Sequence, residues 1–417
     1  MSDIFSSHQI LNYAAFAIPA FFLFLGLEYV AAIRLKRKDI FKFDSSIANL
    51  SIGIAERLIN LFLTASFYGV FVWVYENYAL FQIPNHWIVW ITLLFATDLV
   101  WYWYHRLGHE VNLLWAAHIV HHHSEEFNYT VSARITTLQA VIRNTFWCIL
   151  PFVGFHPAMV MTILIVHGTY SFFTHTQLIG KLGWFEYVFI TPSHHRVHHA
   201  SNEKYLNRNY GDLFVFWDKM FGTFQSEEES PVYGLTHPLK SHSFLWQHLH
   251  YFLELFYASL RTKGFLNKVK IIFGKPELLD QSIRTELERK FLPRQRHVNP
   301  ILRFKVYLIV QIIMVIGILF FISLFHNEAR VVDNIAGSIM VFVTLINCGA
   351  LLEQRRWIYF LEYIRLFVIV AYFSYLWESP ELFIIPLLSL LLLLWPLQKW
   401  YLWLVYGIQP NKRPSST

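Results

Sequence analysis

An all-α fold is what this sequence predicts: a polytopic membrane helical bundle with a cytoplasmic helical cap holding a histidine-rich dimetal site. Three observations carry that reading. The 417 residues are 55% hydrophobic, 18% aromatic and only 15% charged, with a mean hydropathy of +0.38, well off the soluble globular pattern. Several apolar runs approach or exceed the roughly 18 to 20 residues needed to cross a bilayer core. Of 21 histidines, 13 lie between His105 and His199, in spaced groups.

In chain order, apolar segments are expected at approximately 11 to 33, 58 to 75, 87 to 104, 140 to 155, 158 to 174, 306 to 325, 334 to 352, 357 to 377 and 382 to 405. The first is too long, and too poorly preceded by basic residues, for a cleaved signal peptide, so it reads as a permanent anchor. The fourth and fifth flank the turn Phe155-His156-Pro157, and the fourth is short and carries Pro151. That pair forms either two crossings or a re-entrant hairpin, and returns to its starting side in both cases. Residues 1–86 are then N-terminal transmembrane segments, 87–225 a histidine-rich catalytic core, 226–302 a cytoplasmic amphipathic region and 303–417 a C-terminal four-helix transmembrane region. Within the third region, Phe244 to Leu260 reads equally as an element lying on the membrane surface and as a packed helix of the cap.

The formal charge of +6 and pI near 9.1 would suit nucleic acid, but the basic residues sit mostly in short loops between apolar runs. That distribution orients a membrane protein instead, and no nucleic-acid partner is expected. The loop with Arg34, Lys36, Arg37, Lys38 and Lys42 is expected in the cytoplasm, because 76 to 86 contains no Lys or Arg. Counting crossings puts 105 to 134, 175 to 305, Arg355-Arg356 and the tail with Lys412 and Arg413 on the same side. The loops around His326 and Pro380, whose single basic residue is Arg330, fall outside. An endoplasmic reticulum or a bacterial inner membrane fits this pattern equally. Cys148 and Cys348 each sit inside an apolar segment, so neither a disulfide framework nor a cysteine metal site is expected.

The histidines form three groups: His105 and His109; His118, His121 and His122; and His195, His198 and His199. Separations of three and four place side chains on one helix face about 5 to 6 Å apart, close enough to converge on metal. His175, at the end of the fifth segment, sits at the same depth and completes nine donors. Nine nitrogens exceed what one transition ion accommodates, so two ions are implied, and imidazole suits iron, copper and zinc alike. His8, His86, His156, His237 and His326 are read as packing or capping groups. His167 is read as packing ahead of a supporting role, and His123 and His194 as surplus. Asp98, seven residues before His105 inside an apolar run, is an ionisable group at membrane depth and hence a functional candidate. It is expected to orient ligands through Tyr102 or a ligand N–H.

With those residues in hand, the pattern resembles the fatty acid hydroxylase and sterol desaturase superfamily, over approximately residues 90 to 225. The resemblance rests on the three histidine groups, on Asp98 with Trp101-Tyr102-Trp103-Tyr104, on Asn209-Tyr210-Gly211 and on the run from Trp217 to Phe224. It implies a non-haem diiron oxygenase, with two Fe ions, molecular oxygen and a membrane lipid substrate. The runs from His105 to Glu110, Trp115 to His118, Ser124 to Arg134 and Thr191 to His199 resemble most the alkylglycerol-cleaving branch, as do the extra apolar segments after residue 300. That branch implies hydroxylation of the carbon next to an ether oxygen, release of a fatty aldehyde, and tetrahydrobiopterin as electron donor. Glu110, Glu126 and Asn128 are candidate catalytic or head-group residues, and Arg134 a candidate to bind the pterin.

The nearest rivals use the same centre for sterol desaturation, sterol methyl oxidation, or fatty acyl or carotenoid hydroxylation, and the histidines do not separate these. No fused haem domain with a His-Pro-Gly-Gly element and no Gly-x-Gly-x-x-Gly loop occurs, which favours a diffusible donor. A histidine-based metal transporter would place its ligands inside the spans, whereas nearly all of these fall outside them.

Overall fold

The structure is a computed structural model that describes residues 12–292, 302–355, 357–378 and 381–406. The expectations for His8, Arg356, Pro380, Lys412 and Arg413 lie outside the described residues. Within them the chain is helical: α1 (Ala17–Arg34), α2 (Phe43–Tyr78), α3 (Trp87–Glu110), α4 (Asn112–His118), α5 (Tyr129–Ser132), α6 (Thr137–Trp147), α7 (Ile149–Val153), α8 (Pro157–Thr174), α9 (Pro192–His198), α10 (Phe216–Met220), α11 (Phe244–Arg261), α12 (Phe265–Phe273), α13 (Ser282–Phe291), α14 (Leu302–Leu324), α15 (Val331–Leu352), α16 (Ile358–Leu376) and α17 (Glu381–Tyr406). Extended pairing among these residues is confined to two isolated bridges, Phe189 with Phe214 and Ala200 with Tyr233.

Seven of these helices are long and apolar enough to cross a membrane: the run Ala14–Arg34, then α2, α3, α8, α14, α15 and α16. The chain is a multi-pass membrane protein. It divides into two compact units. One comprises the described residues of Met1–Phe21, Ser241–Leu245 and Arg294–Thr417; its core includes Leu308, Val315, Leu345 and Leu351. Inside it Arg365 is buried against Glu362 and Gln311, a polar pairing that removes a charge from an apolar bundle.

The other unit, Phe22–Lys240 with Trp246–Pro293, contains every histidine from His105 to His199. Phe71, Leu93, Trp147, Leu150, Phe155, Met159, Val160 and Ile163 form an apolar core where α2, α3, α6, α7 and α8 meet. α2 is twice the expected length. Its 36 residues extend about 54 Å, well beyond a hydrocarbon core of about 30 Å. The extra turns carry Asn49, Ser51 and Glu56, which read as loop by polarity but are buried. Asn49 donates to Ser124 Oγ (3.3 Å) and Thr130 Oγ1 (2.9 Å), tying α2 to the chain that follows the second histidine group.

The fourth expected segment is carried as α6 and α7, which break at Cys148 and stop at Gly154 (φ 124°). A Cβ at Gly154 would lie 2.0 Å from the Phe81 carbonyl oxygen, so only glycine fits. His86 and His156 cap α3 and α8 through their ring nitrogens, the second of the two roles expected of them. α11 resolves as a packed helix: Gln247, His250, Tyr251, Glu254, Leu255 and Ala258 are all buried along one face.

Candidate metal centre

The first histidine group occupies the last turns of α3, so His105 and His109 emerge where that apolar helix ends. The second is not one α-helix. α4 ends at His118, and His121 and His122 follow on a 3-10 turn, Ile119–His122. The third lies on α9, with His199 as its C-cap. His175 caps the C-terminal end of α8.

These elements bring all nine rings together, and sort them into two groups. In one, His105, His109, His118, His122 and His198 each offer a nitrogen, with all those atoms within 4.8 Å of one another; in the other, His121, His175, His195 and His199 do the same. Spacing explains the sorting. Residues four apart stay together (His105 with His109, His118 with His122, His195 with His199), while the third member of a box, His121 or His198, crosses to the other group. The groups adjoin, with the His122 and His199 rings stacked at 4.4 Å.

The outer ring nitrogens show which atoms face inward. His105 Nδ1 pairs with the Tyr210 carbonyl (2.9 Å), His121 Nδ1 with that of Arg134 (3.2 Å), His175 Nδ1 with that of Ser171 (2.8 Å) and His198 Nδ1 with that of Arg208 (3.0 Å). A carbonyl only accepts, so Nδ1 carries the proton and Nε2 presents a lone pair. The Nε2 atoms of His121 and His175, both rings fixed in this tautomer, face each other at 3.2 Å, and Nε2 atoms also meet at 3.2 Å (His118 and His122) and 2.9 Å (His175 and His195). The Nε2 atoms of His109, His198 and His199 are buried without a partner. Lone pairs opposed in this way repel unless a cation lies between them. Imidazole nitrogens about 2.1 Å from a common ion at roughly a right angle are separated by about 3 Å, which is the spacing seen.

Burial enforces the neutral rings that such ligation requires. It holds His118, His121, His122, His195, His198 and His199 well below the ordinary histidine range, with neighbouring rings adding to the effect, and it lowers His175 to about 4. The residues present therefore fit a pair of transition ions in donor type, tautomer and spacing.

Around this centre the other candidates take different places. Asp98 does not touch Tyr102 or a ligand. It accepts from Leu213 N (2.9 Å), Phe214 N (3.1 Å) and Trp217 Nε1 (3.0 Å). Asp218 accepts from Tyr210 N and Gly211 N, both at 2.8 Å. Together they hold the segment whose Tyr210 carbonyl meets His105. His167 donates or accepts at Asp212 (2.7 Å) and lies 3.7 Å from Asp98, so it belongs to a buried polar triad and is more than packing.

Arg134 points its guanidinium to the Val120 carbonyl (2.6 Å), Asn49 (2.6 Å), Gln247 (2.8 Å) and His123 (3.2 Å). Asn128 caps α5 and donates to the Ile40 carbonyl (2.6 Å). Glu126 is buried 2.7 Å from Lys42 Nζ. Glu110, half-buried, accepts from Arg106 at 2.9 Å, and Arg106 in turn reaches Tyr102. His194 belongs to the capping box of α9, and His123 faces Arg134 and His250.

Sequence reasoning missed Glu28, Asn49, Asp212 and Gln247, and it quoted Asp218 in a motif without giving it a role. Glu28 is buried in α1 and accepts from Tyr129 N (2.8 Å) and Thr176 Oγ1 (2.6 Å), tying α1 to the chain after the second histidine group and to the residue after His175. The rule that singled out Asp98, a charge inside an apolar run, would have found Glu28 as well.

The chain is similar to proteins of known kind. The family described as Fatty acid hydroxylase matches residues 90–223, which span the first and third histidine groups. The Alkylglycerol monooxygenase of Homo sapiens is 33% identical over 383 residues, covering 88% of this chain and 84% of that protein. The Alkylglycerol monooxygenase of Caenorhabditis elegans is 27% identical, covering 94% of this chain and 83% of its own length. The Cholesterol 25-hydroxylase of Mus musculus is 25% identical over 52% of this chain. No solved structure matches.

Proposed function

This chain belongs to the alkylglycerol monooxygenase family of the fatty acid hydroxylases, an oxygen-dependent oxidoreductase acting on lipid at a membrane, and from that premise we propose that it cleaves alkylglycerol ethers at a diiron centre. The observation that carries the reading is the division of nine histidines into two adjoining groups with their Nε2 lone pairs turned inward. His105, His109, His118, His122 and His198 would hold one iron; His121, His175, His195 and His199 would hold the other. When bound, the two ions supply the activation of oxygen needed to hydroxylate an unactivated C–H bond.

The chain's own residues provide what surrounds that step. Carbonyls of Arg208, Tyr210, Arg134 and Ser171 keep four ligand rings in one tautomer and orientation. Phe127 stacks over His175 with ring centroids 5.6 Å apart and keeps water from that group. Hydroxylation next to the ether oxygen consumes one oxygen molecule, two electrons and two protons, and yields a hemiacetal and water. The hemiacetal then loses the glycerol oxygen to give a fatty aldehyde and glycerol. Tetrahydrobiopterin is the proposed source of the electrons. Asp98 and Arg134 act as positioning residues in this reading, and Asn128 as a local cap. Glu110 beside His109 and Glu126 beside Phe127 are the candidates to meet the head group or the pterin. We place the site on the cytoplasmic face, with the basic loop from Arg34 to Lys42.

The test is direct. Purified protein loaded with iron is given an alkylglycerol, tetrahydrobiopterin and oxygen, and release of fatty aldehyde is followed. Aldehyde formation that depends on all three components is expected. If no aldehyde forms while a sterol or an acyl lipid gains oxygen, the ether assignment fails and the family assignment stands.

A further inference from the structure

α12 buries none of its residues, although six of its nine are Phe, Leu, Val or Ile, five of them with side chains turned one way. At 100° per residue, Phe265, Leu266, Val269, Ile272 and Phe273 fall within an arc of roughly 120°. Lys268 and Lys270 flank that arc on its two sides, and Asn267 lies opposite. Phe265 is 78% exposed, Leu266 74% and Phe273 58%. Neither flanking lysine has an ion pair among the described residues.

The helix is fixed in place by one amide. Asn112, fully buried and two residues beyond the membrane-crossing α3, donates to the carbonyls of Ile271 (2.8 Å) and Lys275 (3.1 Å) and accepts from Tyr251 Oη (2.6 Å). Its backbone N–H donates to the Gly274 carbonyl at 2.8 Å. α12 ends beside Asn112, two residues beyond the last turn of the membrane-crossing α3. The last carbonyls of α12 face Asn112, while Phe265, Leu266 and Phe273 of the apolar arc stay exposed and Val269 and Ile272 are partly buried beside them.

We propose that α12 lies in the lipid interface of the membrane the chain spans, with Phe265, Leu266, Val269, Ile272 and Phe273 inserted below the headgroups and Lys268 and Lys270 reaching their phosphates. Lysines at both edges of such an arc are placed to extend toward anionic headgroups while their stems stay in apolar surroundings. Because Asn112 also opens α4, which ends in His118, the lipid-seated helix is attached directly to the element that delivers a ring to the five-histidine group.

Nitroxide labels report the depth. They are placed at Leu266→Cys, Phe273→Cys and Asn267→Cys, in a background with Cys148 and Cys348 replaced by alanine, with one chain per nanodisc of phosphatidylglycerol and phosphatidylcholine. The expected result is a collision ratio of oxygen over a water-soluble nickel complex severalfold higher at 266 and 273 than at 267. Equal ratios at the three positions would overturn the proposal. A second measurement keeps the native cysteines: benzoylphenylalanine at Phe273, where no packing depends on the side chain, is irradiated in the same discs and in a crowded bilayer. Lipid adducts are expected in both. Adducts to a second copy of the chain in place of lipid would show that protein covers this face, and would overturn it too.

Discussion

Of the two histidine groups, the one with His105, His109, His118, His122 and His198 takes its outer hydrogen bonds from the segment around Arg208 and Tyr210, whereas the one with His121, His175, His195 and His199 takes them from Arg134 and Ser171. The donors are alike and the supports differ. Behind the first stand buried acids: Asp98 and Asp218 fix the 210–217 backbone through four N–H groups and an indole. Behind the second stand a buried cation and packed aromatics: Arg134 knits Val120, Asn49 and Gln247 together, and Phe127 covers the rings of His175, His195 and His199. The neutral imidazoles thus keep charged residues one bond removed, where they shape backbone carbonyls, and no carboxylate joins either histidine group among the described residues.

If the groups are separate ion sites, ligand removal breaks the comparison most severely. His122→Ala and His195→Ala are each expected to lower turnover by at least about 100-fold, more than loss of an outer partner costs. The two should differ in which ion is lost, read by iron content and spectroscopy. Asp98→Asn comes next, with a loss of about 10- to 100-fold. Its amide would present N–H groups to the N–H donors of Leu213 and Phe214, loosening Tyr210 and hence His105. The defect should appear in iron content of the five-histidine group while the other keeps its spectrum. Arg134→Gln should do the reverse, weakening the four-histidine group. Gln247→Ala removes one of the four partners of that guanidinium and is expected to cost about 1.5 to 3 kcal/mol of unfolding free energy.

The smallest effect per residue is on pH. His175 titrates near 4 in the folded chain because it is buried, below its unfolded value near 6.5. The unfolded state therefore binds more protons between those values, so stability is complete above about pH 7 and declines as pH falls toward 4. In iron-free protein this single ring contributes roughly 1.4 kcal/mol of destabilisation at about pH 5.5, and the other buried histidines act in the same direction. Thermal unfolding of chelated protein should be flat above about pH 7.5 and fall below about 6.5. A midpoint that rose on acidification would contradict burial as the cause.

The histidines were legible because their spacing of three and four is imposed by helix geometry and recurs. Their supports were not. A carbonyl acceptor such as that of Arg208 or Ser171 has no side-chain signature, and Gln247 meets Arg134 across 113 positions of sequence. Asn49, Ser51 and Glu56 made the start of α2 read as loop, since polarity alone does not distinguish solvated residues from ones buried against another polar segment. The break of the fourth apolar segment at Cys148 did have a signal, since Pro151 lacks the N–H that would bond the carbonyl of Trp147, where α6 ends. Arg134 and Asn128 were read as ligand-binding because polar residues beside a metal site invite that reading. Their hydrogen bonds run instead to the chain itself.

Counting iron tests the central claim most directly. Anaerobically loaded wild-type protein is expected to bind two iron ions per chain, and His198→Ala and His175→Ala one each, with different spectra for the ion that remains. A wild-type stoichiometry of one, or variants that lose the same ion, would contradict a centre built from two histidine groups.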